Sequence, residues 1–595
     1  MLQALGSSTN AKIAYFMLGS CCVLIIGTFI FVAKYERVVI DDTYAYCATA
    51  YFSQKTGYRV EYWKQRNDFD KIDTGCARAC YKEQKSTLGL SFLEIETQAG
   101  YADHNQAFSA GILEGTLTWM SIYAQWKNTI QSFCEQDEAT DKFCTWMRSI
   151  IARNHENSIT IAMKEHKTSH YHHQIYLFYQ QLYGIEKGFR QGTKRARKDF
   201  EIPSEDFLLL NARVDIEDLK VYYNKFVQEE EEDMIEMHDT VEKMIINLVD
   251  GESPKIIIGH SSDGEYNSML KIVKTYRFNY HHGPTPSHHL VTNTDITFTS
   301  YPGCIASTDD FYLAHGKHSR IIVSGIKLKY GDDTQVHGID LDSAVLMSVR
   351  VMAAIRLAHN GKSWAKYMAQ DPDIGAKQWL VIDEKRLKYL YVENEQHKDE
   401  EFVTSLPTID DSLNNEIPTD NIGLVEKEEE KTTVMHAVNS RNIVWMIDNT
   451  WKRLHGEDVT ERFKKDLAWN CDGVPYFKVI QELNKIDGRD FKLNSEQIDN
   501  LDELGMFLKQ NAYRGDLKED EKEIIPYGNT DIKLYSTNGR KFIIQNGPVQ
   551  LGDEELEQND NGDAFDWAKF DNEVSHDEHP DSWNFPKVQV QYIWH

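Results

Sequence analysis

The strand-like run Ile256-Ile257-Ile258 leads into Gly259-His260-Ser261-Ser262-Asp263-Gly264, where a histidine, two hydroxyls and a carboxylate are consecutive. A serine nucleophile on a strand-to-helix elbow needs Gly two residues before and two after it, because the strained turn brings backbone very close. Ser261 has Gly259 before it but Asp263 after it, so a lipase-type triad is not expected. His281-His282 and His288-His289 bracket a Gly-Pro-Thr-Pro-Ser segment, and His170, His172 and His173 form a second group. Metal centres need converging ligands at known spacing, and the chain has no HExxH and no paired CxxC. These histidines are expected to be exposed turn residues, with no metal. Glu557, Asn559, Asn561 and Gly562 echo a calcium loop, but position twelve is Ala568, where a bidentate Glu is required. With no Walker loop and no dinucleotide GxGxxG either, no cofactor is expected.

The elements that must position these residues are legible in part. Residues 37 to about 100 are mixed in character. From about 102 to 200 the pattern is helical, with Phe108, Ile112, Thr116 and Met120 expected as one buried stripe. A second helix is expected over HHQIYLFYQQLYGIEKGF. Between about 240 and 330 the texture becomes short β-branched runs: MIINLV, KIIIGH, TDITFTSY and SRIIVSGIKL. The first two flank Asp250-Gly251-Glu252-Ser253-Pro254, which predicts a hairpin. Helical periodicity returns at SAVLMSVRVMAAIRLA, with Asn360-Gly361 as its stop, and QWLVID is the next strand. Residues 394–431 are acidic and apolar-poor, and the runs Glu229–Asp233 and Asp553–Asp581 are also acidic; all three are expected to be solvated. Helices outside short antiparallel strands predict a layered α+β fold.

The chain carries 93 acidic against 65 basic residues, a formal net charge of -28 that repels phosphate backbones and excludes nucleic acid as a partner. Ile13 to Ala33 is 21 residues without a charge. At ~1.5 Å rise per residue this spans about 31 Å, the thickness of a bilayer's hydrocarbon core. Phe31 occupies the place where signal cleavage before 34 would want a small residue, so a retained anchor is expected. Lys12 precedes the span while Lys34 and Arg37 follow it, so basic residues do not decide its orientation. Cys134 and Cys144 close a short polar loop and are candidates for a disulfide, which would imply an oxidising compartment. No Asn-x-Ser/Thr sequon occurs, and no acidic residue precedes Glu36. The globular part is therefore expected in the secretory or lysosomal lumen, with the mitochondrial intermembrane space, from an inner-membrane anchor, as the alternative.

Several segments in order resemble the phospholipase B-like family: QAFSAGILEG at 106–115, LLLNARVDIEDL at 208–219, Gly259-His260, and YNSML at 266–270. TSYPGCIASTDDFYL at 299–313 is the most specific, followed by Val349-Arg350-Val351, NGKSW at 360–364, QWLVID at 378–383 and NAYRGD at 511–516. The resemblance implies an αββα sandwich of the N-terminal-nucleophile hydrolase type. Residues 37–238 would form its N-terminal, largely helical part, and 239–595 the sandwich core with the acidic loop 394–431. It also implies self-cleavage just before a Cys, whose thiol then attacks an acyl ester or amide with its own α-amine as base. Counting back from His260 through the hairpin, that residue falls within 239–243, and Asp239, Thr240, Val241, Glu242 and Lys243 include no Cys. The best register puts Glu242 there, and Lys377 stands where the family has an Asn before its Gln-Trp strand. The expectation is a membrane-anchored protein that has lost catalysis and acts as a structural or interaction component. Its partners would be the membrane through residues 13–33, proteins at the acidic loops, and a lipid ligand. The alternative is an active hydrolase of phospholipid acyl esters or amides that uses Thr240, with His260 in support.

Overall fold

Alternation along two neighbouring strands sets the architecture. Strands β5 (Lys243–Val249) and β6 (Lys255–Glu265) pair antiparallel, with Met244 opposite His260 and Val249 opposite Lys255. This is the expected hairpin, although its turn at 250–254 lies outside the described residues. Met244, Ile246, Leu248, Ile256 and Ile258 feed one hydrophobic core while Ile245 and Ile257 feed another. A period of two with both faces apolar describes a sheet covered on both sides.

The computed structural model describes residues 45–66, 69–228, 242–249, 255–285, 287–329, 340–372, 374–390, 401–405, 441–451, 453–483, 498–509, 527–547, 565–567 and 574–592. The expected span 13–33 lies outside them, and among the described residues no helix is long and apolar enough to cross a membrane. Sixteen further strands complete two main sheets. The elements of the larger one before its midpoint are β1 (Ala45–Ser53), β2 (Gly57–Arg66), β3 (Ala77–Gln84), β4 (Leu90–Thr97), β7 (Lys271–Arg277) and β8 (Asp295–Ser300). They continue through β9 (Phe311–His315), β10 (Arg320–Lys327), β11 (Lys377–Asp383), β12 (Glu401–Ser405), β13 (Val444–Asn449) and β14 (Arg453–Asp458). Their order is β12-β14-β13-β11-β10-β9-β8-β7-β4-β3-β1-β2, with β4 and β7 parallel. The six-stranded sheet is β15 (Ala468–Cys471), β5, β6, β16 (Tyr527–Ser536), β17 (Lys541–Asn546) and a last short strand, Val588–Gln589.

Three cores stack these sheets into four layers. Leu90, Phe92, Val273, Ile322, Leu380 and Met446 of the large sheet meet the Met244 face of the small one. The large sheet's other face, with Leu93, Ile95, Phe298, Val323 and Trp379, packs on helices. The small sheet's outer face, with Ile245, Ile532 and Leu534, packs on Leu504 and Leu508 of the helix Leu501–Lys509. The fold is α+β, with its layers in the order helix, sheet, sheet, helix.

In the thick helical layer, α1 (Asp103–Leu117) is followed by α2 (Trp119–Trp126), α3 (Glu138–Glu165) and α4 (His170–Ala196). The expected stripe through Met120 breaks, because α1 ends at Leu117 and the chain restarts at Trp119, leaving Met120 45% exposed. Residues 45–97, mixed in sequence, supply four strands at one end of the large sheet. Asn360-Gly361 opens a helix and does not close one. The helix Met347–Leu357 has already ended, and the Asn360 side chain accepts from the Ser363 N–H to cap Gly361–Met368. Within the acidic loop, Glu401–Ser405 pairs as an edge strand with β14.

The candidate pair Cys134 and Cys144 is bonded, and Cys47 and Cys80, cross-strand neighbours on β1 and β3, form a second disulfide. Closing loops of these lengths is worth about 3 kcal/mol each. Buried Cys76, Cys304 and Cys471 stay reduced, and burial pushes the first two thiols up to about 11. Peptide mapping without reductant is expected to recover 47–80 and 134–144 as linked pairs. Those three thiols should alkylate only after denaturation, since the thiolate is the reactive form.

Candidate functional site

At the end of the sandwich where β5 begins, the face between the sheets turns from apolar to charged. His260 and Ser262 of β6 face Lys533 and Asp531 of β16 across the small sheet, since Lys533 is opposite His260 and Asp531 opposite Ser262. Lys533 Nζ bonds Asp531 Oδ1 at 2.7 Å and Ser262 Oγ at 2.5 Å. From the large sheet, Lys271 reaches Asp309 at 3.1 Å and also bonds Asp531. Tyr301 donates its hydroxyl to Asp309 at 2.9 Å. All of these charged side chains are buried. Ions so enclosed persist only because each is paired and hydrogen-bonded. Lys271, with Lys533 behind it, holds Asp309 well below the usual carboxylate range despite burial.

Beside this network lies a cavity of about 110 Å³. Its apolar wall comes from the helical layer, including Leu210 and Val214; its polar wall includes Glu242, Asp263, Tyr301, Lys327, Lys377 and Tyr527. Glu242 immediately precedes β5 and is 6% exposed, and its Oε2 accepts the backbone N–H of Lys327 at 2.7 Å. Lys327 ends β10 directly opposite Lys377 at the start of β11, so two lysines bracket the carboxylate. Lys377 Nζ forms an ion pair with Asp310 Oδ2 at 2.7 Å, and burial is outweighed there by Asp310 and then Glu242, which keep the ammonium charged.

Glu242 is lifted to about 7: burial raises it, Lys377 opposes, Asp263 adds to the rise, and Lys327 opposes again through its charge and N–H. Because the folded value exceeds the ordinary 4.5, the folded state binds this proton more tightly than the unfolded state. The cost of holding Glu242 is therefore absent at acid pH, grows as pH rises from the ordinary value, and is complete above the folded value. Glu242→Gln keeps a carbonyl for the Lys327 N–H and removes the ionisation. Its stability relative to the native protein should improve by about 3 kcal/mol between about pH 4 and about pH 8, as read from urea unfolding at each pH. A difference independent of pH would contradict this placement of Glu242.

The other sequence candidates fall as follows. Thr240 lies outside the described residues. His260 is fully buried between the sheets, outside the cavity lining, with Nε2 2.9 Å from the Gly325 carbonyl and Nδ1 3.4 Å from Lys533 Nζ. Burial, followed by the Lys533 charge, depresses it to about 3, so it is neutral and carries the Nε2 proton toward Gly325. Ser261 lies within β6, and its hydroxyl accepts the Lys243 N–H at 3.2 Å, which no nucleophile elbow would do. The histidine groups divide: His170, His288 and His289 are exposed as expected, but His173 and His281 are buried. They flank Asp103 at 3.0 and 2.8 Å and tie α4 to the segment after β7. A buried carboxylate 70 residues from one partner and 178 from the other leaves no sequence signal for this role. Among the described residues no cluster of His, Cys, Asp or Glu could hold a metal ion.

A Glu at the mouth of β5, hydrogen-bonded between two lysines, can exchange a proton and hold a polar group in the cavity. It offers neither a thiol nor a hydroxyl to attack a carbonyl. Residues 77–590 match the Phospholipase B family model. The chain is 34% identical to the phospholipase B-like lamina ancestor of Drosophila melanogaster, with both chains covered in full. It is 29% identical to human phospholipase B-like 2 over 50% of this chain and 49% of that one. Phospholipase B-like protein C of Dictyostelium discoideum is 26% identical over 52% of each chain. With a family model spanning both sheets and a relative aligned end to end, this chain belongs to the phospholipase B family.

Proposed function

We propose that this protein is a membrane-anchored member of the phospholipase B family that has lost the family's catalysis and serves as a structural or ligand-holding component. The observation that carries the reading is Glu242, buried at the opening of β5, where the family resemblance places the attacking thiol. Self-cleavage needs a side-chain sulfur or hydroxyl to attack the preceding carbonyl carbon, and a carboxylate held by the Lys327 N–H does not supply one. Lys377, paired with Asp310, supports it further, since the resemblance puts an oxyanion-orienting Asn there. The scaffold of this reading is the N-terminal-nucleophile sandwich. The cavity's small volume and apolar wall favour a small bound group.

Residues 13–33 anchor the protein, and the two disulfides favour an oxidising lumen for the globular part. The native protein should stay with the membrane pellet through alkaline carbonate extraction. Release into the supernatant, or a mature N-terminus near residue 34, would sink the anchor. For catalysis, the purified protein is assayed against phosphatidylcholine vesicles and a long-chain fatty amide. Release of fatty acid should equal the blank and be unchanged in Glu242→Ala. Turnover that disappears in Thr240→Ala would establish the protein as an enzyme instead.

A further inference from the structure

Arg356 is 1% exposed, deep in the core between the helical layer and the large sheet, and all three guanidinium nitrogens lack a protein hydrogen-bond partner. It projects from the last turn of the helix Met347–Leu357, where its own carbonyl accepts the Asn293 N–H at 3.0 Å. Its Cζ lies 4.9 Å from the ring centre of Tyr280 and 5.8 Å from that of Phe278. The Tyr280 hydroxyl is equally buried and also has no protein partner.

Ring faces do not neutralise a guanidinium. Cation–π contact returns a fraction of what desolvation takes, and arginine does not escape by losing its proton. The carboxylates nearby are already committed. Asp103 receives His173, His281 and the His281 N–H. Glu114 receives Lys274 at 2.7 Å and the Tyr276 hydroxyl at 2.6 Å. Among the described residues Arg356 forms no ion pair. A water molecule would satisfy the N–H donors but leave the charge, whereas an anion answers both.

We propose that Arg356 and the Tyr280 hydroxyl together hold a small monovalent anion, of chloride size, inside the helix–sheet core. Both contributors are donors, as an anion requires, and the rings of Phe278 and Tyr280 lie against the guanidinium. The ion completes the core by neutralising a fully buried guanidinium that forms no ion pair among the described residues. This site is separate from the Glu242 cavity and stands whether or not the protein hydrolyses anything.

The test is thermal unfolding of the full-length protein in detergent at constant ionic strength, in sodium chloride, sodium bromide or sodium gluconate. The native midpoint should be roughly 2 °C or more higher in either halide than in gluconate. Arg356→Met should abolish that difference, and Tyr280→Phe, which keeps the ring and loses only the hydroxyl, should at least halve it. The second variant keeps the test decisive should the first not fold. A crystal grown in bromide should show an anomalous peak within hydrogen-bonding reach of Arg356. Equal midpoints in the three salts, a halide effect that both variants retain, or a site filled by non-anomalous water would overturn the proposal.

Discussion

Lys271→Met unfolds about 3–5 kcal/mol more easily than the native protein, the cost of stripping one partner from a buried ion network. The side chain is fully enclosed, and its ammonium joins Asp309 and Asp531, which approach it from a loop 38 residues on and a strand 260 residues on. Methionine fills much the same volume, so the loss is electrostatic: Lys533 is left with two carboxylates to neutralise. The deficit should shrink as pH falls, because the carboxylates that Lys271 holds ionised become easier to protonate without it. Lys271→Met combined with Asp531→Asn should recover part of the loss, since the second change removes the stranded charge. Denaturant unfolding of the three variants at neutral and acid pH measures both effects. A Lys271→Met protein of native stability would show that the network is hydrated and not buried.

Gly188→Val costs a comparable amount by a different route. Helices α1 and α4 cross with Gly111 and Gly115 against Gly184 and Gly188, close enough that a Cβ at Gly188 would stand 2.2 Å from the Ile112 carbonyl oxygen. At Gly111 it would stand 2.0 Å from the Gln181 carbonyl oxygen. The obstacle in each case is backbone, which cannot rotate away, so the helices must separate and their shared core must loosen. The expected penalty is about 3 kcal/mol, the upper end of ordinary overpacking. Gly111→Ala with Gly188→Ala should cost less than the sum of the singles, because helices already parted by one methyl admit the second. Additive penalties would mean that the helices do not move as units.

These two features were invisible in sequence for the same reason. Lys271 and Lys533 have the side chains of surface residues, and only partners distant along the chain make their burial tolerable. The four glycines sit four apart within each helix, but spacing does not say which helix crosses which. By contrast, the β5–β6 hairpin and the QWLVID strand were legible because short β-branched runs bounded by turn residues need no distant information. The Cys134–Cys144 bond closes a local loop, so the pair was legible as a candidate, whereas Cys47–Cys80 required knowing that β1 and β3 are neighbours. Among the strands in 45–97, β4 was missed because burial on both faces blurs its alternation, as its eight consecutive buried residues show. At the site, Glu242 and Lys377 were legible through the family resemblance. Their placement around one cavity, with Lys327 as the third member, came only from the pairing of β10 with β11.

The most direct test is whether the chain is cut before β5. The self-cleavage that the family resemblance implies would fall within about residues 236–244, exposing a nucleophile whose amine then serves as base. Glu242 cannot make that break, so the purified full-length protein, incubated at mildly acidic and at neutral pH, should run as one chain under reducing, denaturing conditions. Its intact mass should be unchanged at both pH values. Two fragments, the second beginning at Thr240 and absent in Thr240→Ala, would contradict the account and restore the chain as a self-processing hydrolase.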